Sequence, residues 1–399
     1  MKVINSEKLP IKIWITIEGW MNGNYDTEPG FIDAIQQAKN LANHPLARKH
    51  VALMPDFHVG YGMPIGGVLA TQGGVVPNAV GVDIGCGMIA MRTNMDAEKL
   101  SKEDLQNIRL QIHKLIPVGM NHHKEKQNHE LLSTDNLILS GMNNNPVIRE
   151  QWEKADYQIG TLGGGNHFIE IQKDQHGKVW VMIHSGSRNL GKQVCDYYHK
   201  KAKELNELWH SDIPDPDLAF LPEGTKEYDE YMKAMNFCLA FAEASRLQML
   251  NSVKDAFEAW GFEFEAEEIF DTHHNFAAKE HHFNQNFLIH RKGAVKAEGK
   301  LTIPGSMGTA SYICEGLQPT ESFNTCSHGA GRAMGRKHAN SVITHDQAKE
   351  MMKDVVFGIK QGDYDEMPIA YKDIHDVIKW QSDLVKPLYT LTPLAVCKG

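Results

Sequence analysis

Gly81-Val82-Asp83-Ile84-Gly85-Cys86-Gly87-Met88 sets a carboxylate and a thiol three residues apart between glycines. Glycine reaches positive φ at little steric cost, so Gly81, Gly85 and Gly87 leave the backbone free to bring both side chains to one point. Asp offers hard oxygen and Cys a soft thiolate able to bridge two ions, which makes this a metal-ligand spacing. A lone cysteine in a tight turn is more often a packing residue. Three histidine motifs further along turn the reading toward a metal site.

On the N-terminal side, Val51-Ala52-Leu53-Met54 reads as a short buried strand running into a shaped loop, 55–67, with one Asp and one His among glycines and prolines. Residues 11–18 alternate apolar with mostly polar side chains and predict an edge or surface strand. Apolar positions from Phe31 to Ala42 recur at helical spacing. On the C-terminal side, Ser101 to Asp104 resembles a capping box before a helix to about Leu115. His122 to His129 is polar and aperiodic, a solvated loop, and Val147 to Ile159 is helical.

The run at 163–171 passes from three glycines into an alternating strand that would carry His167, with Glu170 nearby, on its outward face. Val179 to Ile183 is a buried strand ending on His184-Ser185-Gly186-Ser187, a setting common for catalytic groups. Long helical periodicity covers Lys192 to Trp209 and Lys226 to Trp260, and its Met and aromatic positions are core. Strands resume at Glu268 to Asp271, leading to His274, and at Asn286 to His290. The loop 304–312 offers amides and hydroxyls suited to phosphate, and His328 opens a second glycine-rich turn, Gly329-Ala330-Gly331-Arg332. There, amides and a guanidinium could hold a phosphate while the imidazole attacks it. Helices follow from Thr344, boxed by Gln347, and from Asp373. With no repeat, low-complexity segment or clear linker, the chain reads as α+β: one compact unit, 1–399, of central sheets, flanking helices and a helical insertion at about 192–260.

A net charge of −9 excludes coating of nucleic acid by bulk charge, though not a local basic groove. No run of about 18 uncharged apolar residues predicts a membrane span. The N-terminus lacks the pattern of a signal peptide, and six cysteines without a CxxC pair fit a reduced compartment, so a cytoplasmic protein is expected. The 21 histidines outnumber Phe, Tyr or Trp, and many sit beside glycine, serine or asparagine, as ligands and polar-site groups do.

At its motifs the chain resembles the RtcB family of RNA-splicing ligases, over nearly its whole length. The resemblance rests on Pro-Asp-Phe-His-Val-Gly-Tyr-Gly at 55–62, Val-Asp-Ile-Gly-Cys-Gly at 82–87, Gly-Gly-Gly-Asn-His-Phe-Ile-Glu at 163–170 and His-Ser-Gly-Ser-Arg-Asn-Leu-Gly at 184–191. His-Asn at 274–275, His-Arg-Lys-Gly-Ala at 290–294, Pro-Gly-Ser-Met-Gly-Thr-Ala-Ser-Tyr at 304–312, His-Gly-Ala-Gly-Arg at 328–332 and the terminal Lys-Gly complete it.

The resemblance implies an enzyme that uses GTP and two Mn²⁺ ions to join an RNA 3′-phosphate or 2′,3′-cyclic phosphate to a 5′-hydroxyl. It implies that His328 takes GMP from GTP and passes it to the RNA 3′-phosphate. Asp83, Cys86, His167, His184 and His274 are then the metal ligands, with Cys86 bridging. Asn166, Glu170, Asn275, Ser306, Arg332 and Lys398 are nucleotide contacts. The resemblance also leaves room for an archease-like activator. Manganese comes from the resemblance alone, since thiolate with imidazole suits zinc by softness. Phe57, Val59 and Asn189, where glycine is frequent, depart from the family pattern and bear on RNA fit. Two other enzyme readings stay open: a relative specialised for repairing or capping damaged RNA or DNA ends, and a metal-dependent phosphoesterase that activates water.

Overall fold

Two sheets organise the α+β fold of the computed structural model, which describes residues 1–16, 19, 29–358, 362 and 364–399. The six-stranded sheet runs in the order Lys2–Ile4, Ile11–Ile13, Ala47–His58, Ile65–Thr71, Gln285–Lys292, Asn275–His282. The seven-stranded sheet runs Ala266–His273, Gly87–Asp96, Lys178–Ser185, Phe168–Lys173, Val385–Lys398, Ser311–Leu317, Glu298–Ile303. Strand Ala266–His273 ends one sheet and Asn275–His282 begins the other, so His274 is the single residue at the crossing.

The seven-stranded sheet owes its position to two helices. Lys102–Leu115 starts on a reciprocal box: Asp104 N donates to Ser101 Oγ at 3.1 Å, and Ser101 N donates to Asp104 Oδ2 at 2.9 Å. Lys226–Glu258 lays Met249, Leu250, Val253 and Phe257 into one core with Ile89, Met91, Val181 and Ile183 of the sheet. Spacings of one, three and four put those helix residues on one face, and burying each such side chain is worth about 1.5–3 kcal/mol. A second long helix, Arg188–Leu208, packs Val194, Tyr198 and Ala202 against Tyr231, Ala234 and Cys238 of the first. Among the described residues no helix is long and apolar enough to cross a membrane.

Two expectations change. Ile11–Ile13 is interior, because the preceding Lys2–Ile4 takes the sheet edge, and Ile11, Ile13, Trp14 and Ile15 are all buried. Residues 17 and 18 of that reading lie outside the described residues. The strand expected to stop at Met54 runs on to His58, with a shift of register between Leu53 and His58. Pro55 has no N–H for the ladder, and a shift of this kind is how a sheet accommodates it.

Candidate active site

Five side chains converge where the sheets meet. Cys86 Sγ lies 3.3 Å from His167 Nε2 and 3.2 Å from His184 Nε2; His167 Nε2 is 3.0 Å from Asp83 Oδ2, and His184 Nε2 is 3.3 Å from His274 Nε2. Cys86, His167, His184 and His274 are buried, and Asp83 is partly exposed. The expectation that His167 and Glu170 face outward fails, because Phe168–Lys173 lies between two other strands and is covered on both faces.

Backbone contacts set the direction of the histidines. His167 Nδ1 meets Leu162 O at 3.0 Å, and His184 Nδ1 meets Asn166 O at 3.1 Å. A carbonyl only accepts, so both Nδ1 atoms carry a proton and both Nε2 atoms face the sulfur. Burial, followed by neighbouring histidine charge, holds His184 and His274 well below the usual imidazole value, so both are neutral. Burial, then Asp83, pushes the Cys86 thiol well above its usual value, against the opposing charge of Arg246. Burial also pushes Asp83 upward, but the hydrogen bond and charge of His167 more than offset it. His274 Nδ1 is buried without a hydrogen-bond partner among the described residues. Lone pairs aimed at one another, a carboxylate and a thiol together make a donor set that fits a cation.

Glycine serves this loop in two ways. Gly81 and Gly85 hold φ of 96° and 74°, as the sequence requires of them. Gly87 is needed for close approach instead: a Cβ there would lie 2.3 Å from Thr272 O. Gly186 is similar, with Asp83 Oδ1 2.2 Å from where its Cβ would be.

Beside the cluster opens a cavity of about 570 Å³, lined in part by Asn166, Glu170, His184, Ser306, His328, Arg332 and Lys398. The His328 ring centroid is 4.8 Å from that of His274. Asp56, fully buried, accepts through Oδ2 from His328 Nδ1 at 2.6 Å and from His328 N at 3.1 Å. This places the proton on Nδ1 and leaves Nε2 with the free lone pair. Gly331, at φ 73°, admits the contact, since a Cβ there would be 2.1 Å from Asp56 O. Asp56 was visible in the sequence as the lone acid of the 55–67 stretch, but a single Asp in a loop carries no role by itself.

The far end of the cavity is ionic. Lys398 Nζ donates to Gly165 O at 2.7 Å and to Glu366 Oε2 at 3.0 Å. Glu366 also receives Arg332 Nη1 at 3.1 Å, Arg336 Nη1 at 2.6 Å and the Tyr371 hydroxyl. Burial lowers the Lys398 ammonium, with Glu366 opposing. Burial raises Glu170 to about 8, against the Gln172 hydrogen bond and the Lys398 charge. Arg332 faces the cavity while bonding Met334 O, Glu366 and Asp365 O. Ser306 N and Gly305 N are taken up by Thr309 Oγ1 and Ser311 Oγ within their own loop. Asn275 does not line the cavity: its amide ties Asp83 O at 2.9 Å to Gly293 N at 2.7 Å. Of the departures, Phe57 is buried in the core, Val59 lines the cavity, and Asn189 bonds Gln151. Sequence reading missed Arg336, Glu366 and Tyr371: Glu366 and Tyr371 have no glycine or strand end beside them, and Gly335 before Arg336 was a signal left unused.

A family model described as tRNA-splicing ligase RtcB matches residues 37–399. The chain is 38% identical to RNA-splicing ligase RtcB of Escherichia coli strain K12, over all of this chain and 99% of that protein. It is 30% identical to tRNA-splicing ligase RtcB of Methanococcus maripaludis, over 92% of each chain. With tRNA-splicing ligase RtcB of Nanoarchaeum equitans the identity is 31%, over 91% of each.

Proposed function

Because the chain belongs to the RtcB family and is an RNA ligase, we propose that it uses GTP to join RNA 3′-phosphate ends to 5′-hydroxyl ends. A 2′,3′-cyclic end enters the same route after one water opens the ring. The observation that carries this reading is a single one: the His328 imidazole, oriented by Asp56, stands at the cavity into which the Cys and His cluster opens.

Asp83, Cys86, His167, His184 and His274 would hold two Mn²⁺ ions, with the Cys86 thiolate shared. When bound, the ions neutralise crowded phosphate oxygens and make phosphorus easier to attack. His328 Nε2 gives its lone pair to the α-phosphorus of GTP, and the bond to the bridging oxygen breaks with pyrophosphate leaving. An oxygen of the RNA 3′-phosphate then attacks the same phosphorus, breaking the N–P bond and restoring the imidazole. Finally the 5′-hydroxyl attacks the RNA phosphorus, its proton is lost, and GMP departs. Asn166, Glu170, Ser306, Arg332 and Lys398 line the space offered to the nucleotide, and Asn275 supports it by fixing the Asp83 loop. Residues 1–399 act as one unit in this scheme, with the helices over 192–260 as an insertion that backs the metal loop.

The test is incubation with Mn²⁺ and GTP labelled at the α-phosphate. Label should stay on the denatured wild-type protein and be absent from His328→Ala. Phosphoester cleavage that needs no GTP would instead support the hydrolase.

A further inference from the structure

Arg246 lies in the middle of the helix Lys226–Glu258, on the face that carries Met249, Leu250 and Val253 into the sheet, and it is fully buried. A guanidinium in an apolar stripe is costly unless every donor is met. Four of its five N–H groups are met by oxygen atoms and the fifth faces a ring nitrogen. Nε and Nη2 grip Asp271 Oδ2 and Oδ1, each at 2.6 Å. Nη1 donates to Gly85 O at 2.9 Å and to Ser185 O at 2.8 Å, and Nη2 lies 3.1 Å from His273 Nδ1.

The three residues at the second half of that grip share one property. Gly85 precedes Cys86, Ser185 follows His184, and His273 precedes His274. Each is the chain neighbour of a residue in the Cys and His cluster, and the three come from a loop and from the ends of two strands. The arginine reaches them because Gly87 has no side chain: a Cβ there would be 3.1 Å from Arg246 Nη1.

We propose that Arg246 is a positioning residue of the metal centre, holding Cys86, His184 and His274 at fixed separation from behind through the backbone and side chain of their neighbours. This rests on the metal reading given above. A planar fork with five donors does what a lysine ammonium with three cannot, so Arg246→Lys keeps the charge and loses the geometry. Partners of this outer kind typically change metal affinity by about 10–100-fold.

The experiment is a Co²⁺ titration of the full chain, followed by the thiolate-to-cobalt charge-transfer absorption, with thermal melts of the same samples. Wild type should develop the band. Arg246→Lys should bind Co²⁺ about 10–100-fold more weakly with a diminished band. Met249→Ala, on the same buried face, should lose thermal stability yet bind within about twofold of wild type. Equal binding by Arg246→Lys and wild type overturns the proposal, and so does equal weakening in Met249→Ala. If Arg246→Lys does not fold, Asp271→Asn loosens the anchor and leaves the guanidinium in place; weakened binding supports the proposal and unchanged binding overturns it. Absence of the band in wild type overturns the metal reading itself and this inference with it, a result distinct from the others.

Discussion

Asp56 takes two hydrogen bonds from one residue, and that pairing fixes which nitrogen of His328 is available. Asp56→Asn presents an N–H or a weaker acceptor to Nδ1, which disturbs the tautomer and leaves the fold in place. Protein guanylylation should fall by up to about 10⁴, the loss seen when the orienting acid of a catalytic histidine is amidated. A rate within twofold of wild type would show that the contact has no part in the reaction. His328→Ala separates the steps: it should fail on RNA ending in 3′-phosphate and still seal RNA already bearing 3′-guanylyl, because GMP is then in place as leaving group. His184→Ala should fail on both substrates, and a gel assay on the two RNAs reads all four results. Glu170 titrates at about 8 through burial, well above an unfolded glutamate near 4.3. Between those values the folded state holds a proton the unfolded chain has released, so this group's stabilisation is full at low pH and is lost as pH rises through about 8. Melts from pH about 5 to about 9 should show that fall, and Glu170→Gln should flatten it. At this scale the convergence of Asp83, Cys86, His167, His184 and His274 was legible because glycine and strand ends mark its members. Asp56 was not, since its partner lies 272 residues away and only the fold brings them together.

Val385–Lys398 is the element that delivers the chain end to the cavity. It pairs with Ser311–Leu317 on one side and Phe168–Lys173 on the other, and Lys398 sits opposite Phe168. Chain ends are usually frayed and dispensable. Here the last residue is packed, with Gly163 O 2.2 Å from where a Cβ of Gly399 would be. Deleting Lys398 and Gly399 should therefore raise the KM for GTP by about tenfold or more, the loss of one charged contact, at a stability cost of only about 1–3 kcal/mol. Unchanged GTP dependence in a folded truncated protein would remove Lys398 from the nucleotide site. Elements with local signals were readable: Ser101 and Thr344 cap their helices with the boxed partners their spacing demands. Elements placed by neighbours were not. Ile11–Ile13 and Phe168–Lys173 alternate as half-exposed strands do; the first keeps that alternation but sits between two strands instead of at the edge, and the second is buried on both faces as far as Gln172. Arg246 was hidden for the converse reason, because on a periodic helix one arginine reads as a solvated position until the sheet beneath it is known.

Across the molecule, the Cys and His cluster is where two sheets become one object. Asp83 and Cys86 come from the loop before Gly87–Asp96, His167 and His184 from the ends of two central strands, and His274 from the crossing into the six-stranded sheet that also carries Asp56. An ion held by ligands from separate elements binds only the folded chain, so it stabilises by mass action, about 2.7 kcal/mol at one hundred times its dissociation constant. The net charge of −9 gives the same ions a second effect, since RNA must approach a protein of its own sign and the positive charge it meets is local. Mn²⁺ should therefore raise the melting temperature of the wild type, and chelation should reverse the rise. The ligands should not be equal in this. Cys86 Sγ stands within 3.3 Å of both His167 and His184 Nε2, so on the proposed reading its thiolate would serve both ions, whereas His167 or His274 would serve one. Cys86→Ala should abolish the Mn²⁺ shift and the bound metal, while His167→Ala or His274→Ala should keep part of each. Metal analysis alongside the melts decides it: two ions per chain retained in Cys86→Ala would mean that the thiolate does not bridge, and that the sheets are joined through the histidines alone.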